Sequence, residues 1–194
     1  MEKISSKPNV GEFIARIKSD DDAVRGPAWQ GAAPLGAPAI GPLGEVMTDE
    51  RFEVARSAKR ALWKIVRHAG RPWARKEAAA VEKELLKLLK SPAPAVRREA
   101  LWMLSEIGAE QAVNSMAALL KDPEAREDAR CALLRLPGRA VASALRKAFA
   151  QAPENFKFAL AEALRARGEK VEGYPSQKLT PSRPTSIAPA GPKA

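Results

Sequence analysis

The chain has 194 residues, a net charge of +10, 45% hydrophobic and 5% aromatic residues, and a single cysteine. That length suits one domain with tails; no stretch reaches the roughly 18–20 apolar residues of a membrane span, and Met1 to Val10 carries charges where a secretory signal has its apolar run. Cys131 alone makes no internal disulfide and the only histidine, His68, has no cysteine or second histidine near it for zinc, so no cofactor, no metal, no membrane association and a cytoplasmic location are expected.

Abundant alanine, leucine, lysine, arginine and glutamate favour helices over strands. Residues 1–11 read as an N-terminal arm, and Val10, Phe13, Ile14 and Ile17 mark an amphipathic capping helix over residues 10–18. One apolar phase then recurs along the chain. Val24, Ala28, Ala32 and Leu35 lead to Gly36; Val54, Ala58, Leu62 and Ile65 lead to Val66 in the glycine place; Val96, Ala100, Leu104 and Ile107 lead to Gly108. Ala125, Ala129, Leu133 and Leu136 lead to Pro137-Gly138, and Phe156, Leu160 and Leu164 lead to Gly168. The glycines are expected to end each helix in the left-handed conformation. Second helices are predicted over Pro38 to Met47, Arg75 to Leu89, Ala109 to Leu120 and Arg139 to Phe149, with turn residues between pairs at Thr48-Asp49, Ser91-Pro92, Asp122-Pro123 and Ala152-Pro153. The starts at 24, 54, 96, 125 and 156 lie 30, 42, 29 and 31 residues apart. One repeat therefore carries about twelve extra residues, assigned to the turn His68 to Trp73, with Trp73 either contacting a partner or starting the next helix.

A helix pair of about 30 residues, repeated, cannot bury its apolar face alone and must stack on its neighbours. The segments Asp22-Val24-Arg25-Ala28 and Val96-Arg97-Arg98-Glu99-Ala100 through Glu106-Ile107-Gly108 resemble HEAT repeats, in the short form of the bilin-lyase class, over roughly residues 12–168. The resemblance implies an all-α, right-handed α-α superhelix of four to five helical pairs, first helices on the convex side and second helices lining the concave side. The repeat domain is placed at residues 12–170, and the proline-rich tail at 171–194 is expected to be disordered.

The charge is uneven. Residues 1–53 carry a net −3, residues 54–98 a net +10, residues 99–168 a net +1 and residues 169–194 a net +2. Within Val54 to Lys76 there is no acidic residue. At 100° per residue, Arg56, Lys59, Arg60, Lys64 and Arg67 fall opposite the apolar stripe with Trp63 at their centre, and Arg71 and Trp73 follow in the turn. These eight residues are the candidate contact set for an acidic partner or an anion. Trp63 reads as an open aromatic platform, as a ring packed against the neighbouring repeat, or as a ring lying under arginine stems in a cation–π pair. Arg25, Arg97 and Arg126 recur at one repeat position and are expected to pair with neighbouring turns, and Cys131 is expected to be a structural thiol.

No Gly-x-Gly-x-x-Gly or P-loop pattern and no catalytic constellation appears, so a non-enzymatic protein-interaction scaffold is expected, its contact surfaces the concave second helices and the basic patch around Trp63 and its partner a protein with an acidic surface. The alternative is a nucleic-acid- or phosphate-binding module using the patch around Trp63. A HEAT-like DNA glycosylase of the alkylpurine type, or an accessory subunit of a bilin lyase, are the enzyme-linked alternatives that the repeat class leaves.

Overall fold

The computed structural model of the chain describes residues 9–176. Among them the chain is helical throughout, in two layers that stack along the sequence. The first helices are α2 (Asp22–Gln30), α4 (Phe52–Ala69), α6 (Pro94–Ile107), α8 (Arg126–Arg135) and α10 (Glu154–Ala166). The second helices are α3 (Ile40–Val46), α5 (Arg75–Leu88), α7 (Val113–Ala118) and α9 (Arg139–Gln151), with α1 (Val10–Ile17) laid on α2 and α4 at one end. Each first helix packs on the next first helix, and α3 on α5 and α7 on α9 continue the second layer.

The recurring apolar phase is the core. Ala28, Ala58, Ala100 and Ala129 occupy one repeat position and are all buried, as are Leu62, Leu104 and Leu133 one turn later. Phe156, Leu160 and Leu164 close the array on α10. Two polar contacts lock neighbouring repeats. Buried Glu82 of α5 accepts from the Ala109 N–H at 3.1 Å and from Gln111 Nε2 at 3.0 Å, satisfying donors at the entry to α7. Arg167 donates to the carbonyls of Leu136 at 3.1 Å and Gly138 at 2.6 Å, fixing the α8–α9 turn from the following repeat.

Several boundaries differ from the sequence reading. Gly11 already belongs to α1, because the Asn9 side chain caps the N–H groups of Gly11 and Glu12. Helix α4 does not stop at Val66; it runs one more turn, burying Val66 and Ala69, and ends at Gly70, whose N–H reaches the Val66 carbonyl at 2.9 Å. His68 is therefore helical, and the extra residues of this repeat are shared between that added turn, the loop at 70–74 and a long α5. The second helix before α4 starts at Ile40 rather than Pro38, behind short 3-10 turns at Ala33–Leu35 and Ala37–Ala39. The tail begins later than 171: Tyr174 packs edge-on against Phe149 and Phe158, its hydroxyl donates to Glu154, and Ser176 donates to Glu162. Those aromatic and hydrogen-bond contacts hold residues 171–176 on the last helices; residues 177–194, expected to be disordered, lie outside the described residues, as do residues 1–8 of the arm.

The glycines act by two mechanisms. Gly168, at φ 81°, is a left-handed cap; its N–H reaches the Arg165 carbonyl and the Glu169 N–H reaches Leu164. Gly108 has φ −67° and is not left-handed. It is required because a Cβ there would sit 2.4 Å from the Leu104 carbonyl oxygen. Gly108→Ala should therefore lower unfolding free energy by about 1–3 kcal/mol, read from urea denaturation midpoints.

The starts of α2 and α4 are clasped by Arg51. Its guanidinium bonds Asp20 at 3.0 Å and both carboxylate oxygens of Asp49 at 2.9 Å, and its backbone N–H also reaches Asp49 at 3.1 Å. The side-chain bond from Arg51, then the backbone one, pulls the Asp49 carboxyl down from its ordinary 3.8 to about 2. A carboxyl depressed on folding stabilises the fold fully above its ordinary value and loses that effect as it is protonated. The denaturation midpoints of the wild type and Asp49→Asn should differ by a constant amount above pH 3.8 and converge between 3.8 and about 2.

Candidate functional site

Helix α4 presents the site because its sequence divides cleanly between two faces. Val54, Ala58, Ala61, Leu62 and Ile65 are buried, while Arg56, Lys59, Lys64 and Arg67 are exposed and Arg60 and Trp63 are half-buried. The exposed face forms one wall of a groove of about 630 Å³ running over α2, α4 and the start of α6. Its apolar surface comes from Trp29, Met47, Phe52, Ala55, Trp63 and Ala95. Five cations, Arg56, Lys59, Arg60, Lys64 and Arg67, line it with a single carboxylate, Glu99.

The indoles and cations are organised by one another. The Arg60 guanidinium lies 5.0 Å from the Trp29 ring centroid and that of Arg67 lies 5.1 Å from Trp63, both within cation–π range. A guanidinium held by its face on an indole keeps its N–H edge available for a carboxylate. Glu99 of α6 accepts from Trp63 Nε1 at 2.5 Å and from Lys59 Nζ at 2.6 Å. The same device recurs one repeat on: Asp128 of α8 accepts from Trp102 Nε1 at 2.8 Å and from Arg98 Nε at 2.7 Å. Arg56 pairs with Glu53 at 3.1 Å. Arg60, Lys64 and Arg67 make no ion pair with a described residue.

The structure thus brings six of the eight candidate residues, Arg56, Lys59, Arg60, Trp63, Lys64 and Arg67, to one groove. Arg71 and Trp73 stand apart in the turn after α4, where Arg71 bonds both carboxylate oxygens of Glu77 at 2.7 and 2.8 Å and is held above its ordinary pKa by that bond. Trp73 does not start the next helix, which begins at Arg75: it is 98% exposed with φ 69°. Trp63 is a half-buried ring tied to the neighbouring repeat and covered by an arginine, not an open platform.

The recurring arginines divide. Arg25 is buried and bonds Asp22 and the Ser19 carbonyl, and Arg97 bonds Asp122 at 2.9 Å and the Ser91 carbonyl at 2.8 Å, as expected of pairing with neighbouring turns. Arg126 instead lies 4.8 Å from the Phe156 ring. Cys131 is half-buried and accepts from Arg130 at 3.3 Å.

In sequence, a family model for HEAT repeats matches residues 63–135 and again 82–165. The chain belongs to the HEAT-repeat family. Among solved structures, an engineered protein matches at 20% identity with TM-score 0.41, covering 81% of this chain and 78% of its own. A designed armadillo repeat protein in complex with the peptide (KR)4 matches at 17% identity with TM-score 0.43, covering 85% and 84%. No curated protein matches. Among the described residues no helix is long and apolar enough to cross a membrane, and no cluster of His, Cys, Asp or Glu is placed to hold a metal.

Within this HEAT-repeat array the groove spans the first three first helices. Trp29, Met47, Phe52 and Glu99 belong to it although charge patterning on α4 alone does not mark them. One signal for Glu99 is present in the sequence: a cation stands four residues before a tryptophan at Arg25/Trp29, Lys59/Trp63 and Arg98/Trp102, and the last two pairs meet an acid just before the repeat alanine of the next unit, Glu99 or Asp128, where the first has Ser57. The second-helix layer has its own groove of about 770 Å³ between α7 and α9, walled by Ala117, Ala144 and Ala148 with Lys121 and Lys147 on its rim.

Removing Glu99 leaves a half-buried indole N–H and a cation without their acceptor, whereas Glu53 forms an exposed pair on its own helix. Glu99→Ala should cost about 1–3 kcal/mol and Glu53→Ala no more than about 0.5 kcal/mol, compared by denaturant unfolding at neutral pH.

Proposed function

We propose that this HEAT-repeat chain is a non-enzymatic protein-interaction scaffold whose groove over α2, α4 and α6 takes an acidic segment of a partner carrying an apolar anchor. The observation that carries the reading is the lining of that groove: Trp29, Met47, Phe52 and Trp63 supply an apolar floor, and five cations surround it against one carboxylate already taken by Lys59 and Trp63. Arginine and tryptophan are the side chains that concentrate binding energy in interfaces. Two of the arginines are fixed before a ligand arrives, by Trp29 and Trp63, which lowers the entropy lost on binding. Carboxylates of the partner bind the guanidinium edges, and an apolar side chain fills the volume between Phe52 and Trp63.

A protein partner is favoured over nucleic acid by the state of the rings. Sequence-tolerant binding of single strands uses exposed aromatic faces on which bases stack, and here Trp29 and Trp63 are half-buried beneath Arg60 and Arg67.

The test uses a fluorescein-labelled peptide rich in glutamate with one leucine–phenylalanine pair, and a single-stranded oligonucleotide of equal charge. Wild-type protein should bind the peptide more tightly than the oligonucleotide, and Arg60→Glu with Lys64→Glu should weaken peptide binding at least about tenfold, an effect of about 1.4 kcal/mol. Lys147→Ala, on the second layer, should leave it unchanged. Tight oligonucleotide binding with a steep salt slope, and no peptide binding, would contradict the proposal.

A further inference from the structure

We propose that the chain associates head to tail with a second copy of itself, the turn carrying Trp73 in one copy seating on the edge formed by Val24, Glu50 and Phe52 in the next. The starting point is Trp73. Its indole is 98% exposed and its backbone sits at φ 69°, a region that side-chain-bearing residues avoid. The conformation is held, not frayed: Arg71 donates to the His68 carbonyl at 2.7 Å and to both oxygens of Glu77, and the Ala74 N–H closes the turn on the Arg71 carbonyl at 3.2 Å. An aromatic side chain fixed in solvent at a strained position gains nothing from its own chain. Such strain concentrates at sites of function.

What surrounds Trp73 defines its counterpart. Arg75 and Lys76 follow it, exposed and without an ion pair to a described residue, and residues 64–77 carry a net charge of +4. The counterpart must be apolar and acidic. The other two large apolar side chains exposed among the described residues are Val24 and Phe52, the latter 73% exposed. Both lie at the starts of first helices, at the end of α4 remote from Trp73; the 18 residues of α4 place the two ends about 27 Å apart. The bond between Arg51 and Asp20 joins the starts of α2 and α4 into one edge. Residues 18–56, which supply that edge, carry a net charge of −3, and exposed Glu50 makes no ion pair with a described residue.

One chain thus displays an aromatic side chain among cations at one edge and, at the opposite edge, Val24 and Phe52 on a net acidic segment; Phe52 also forms the end of the α4 groove, with Arg56 over its ring at 6.0 Å, so a second copy and an acidic peptide compete for it. Neither terminal segment outside the described residues supplies the acidic counterpart: residues 177–194 contain Lys178, Arg183 and Lys193 and no acid, and residues 1–8 are net positive. Because the two patches differ, the contact is heterologous and leaves a free patch at each end of a pair, so assembly continues into open chains.

Sedimentation velocity of the full chain tests this. At low ionic strength the weight-average mass should rise with protein concentration, and it should fall back to the monomer at about 1 M salt, where charges are screened beyond about 3 Å. Trp73→Gly removes the indole and suits the positive φ, so it should fold at least as stably as the wild type yet remain monomeric. Val24→Ser with Glu50→Lys should also remain monomeric. Phe52 is intact in both variants and none of the substituted positions lines the groove of α4, so at protein concentrations below assembly both variants should match wild-type affinity for the acidic peptide, and a failure of assembly is distinguishable from a failure of the groove. Mixed in equal amounts, the two variants each contribute one intact patch and should form a species of twice the monomer mass that grows no further. A wild type that stays monomeric at all concentrations, variants that still associate, or a mixture that yields no dimer would each overturn the proposal. So would a monomer that uses Trp73 to bind a single-stranded oligonucleotide.

Discussion

The packing of each first helix against the next sets the geometry on which the other features depend. Ala28, Ala58, Ala100 and Ala129 stand at one repeat position on successive first helices and are all buried. A small side chain at a recurring position keeps neighbouring helices close, and close helices bring the outward side chains of one repeat within reach of those of the next. That is why Trp63 and Lys59 of α4 reach Glu99 of α6, and why Trp102 and Arg98 of α6 reach Asp128 of α8. The same stacking lays Trp29 of α2 under Arg60 of α4.

The strongly basic helix is stable because its charges are partly absorbed in three ways. Arg56 and Lys59 meet carboxylates, Arg60 and Arg67 lie on indole faces, and Lys64 remains in water. The first way neutralises a charge; the second orders it without neutralising it. A surface built by the second way retains its positive field and presents it in a fixed arrangement. The groove over α4 combines that field with an apolar floor, a pairing that a purely structural salt-bridge network would not leave behind.

Much of the architecture was legible from the repeating apolar phase, since burial at period 3.6 and recurrence every 30 residues follow directly from the need to stack. That phase places α5 and α9 to within two residues of their observed ends. The errors lie where the local signal has two physical causes. The repeat phase puts Val66 in the glycine place and calls for a stop there, yet an added turn with Val66 and Ala69 buried satisfies the same core. Gly108 marks a helix end by close approach to a carbonyl, not by its dihedral angle. At the site, the basic arc of α4 was legible because it lies on one helix. Trp29, Phe52 and Glu99 were not, since they come from elsewhere in the chain and meet the arc only through stacking.

The four tryptophans offer the most direct measurement of the central claim, that the groove over α2, α4 and α6 is the partner surface. Each contributes one resolved indole N–H signal in a nitrogen–proton correlation spectrum. Titration of the monomeric Trp73→Gly variant with the acidic peptide should shift the Trp29 and Trp63 signals in proportion to occupancy, with Trp102 unmoved because it does not line the groove. Shifts confined to Trp102, or no indole shift while the peptide binds, would place the partner surface elsewhere and contradict the claim.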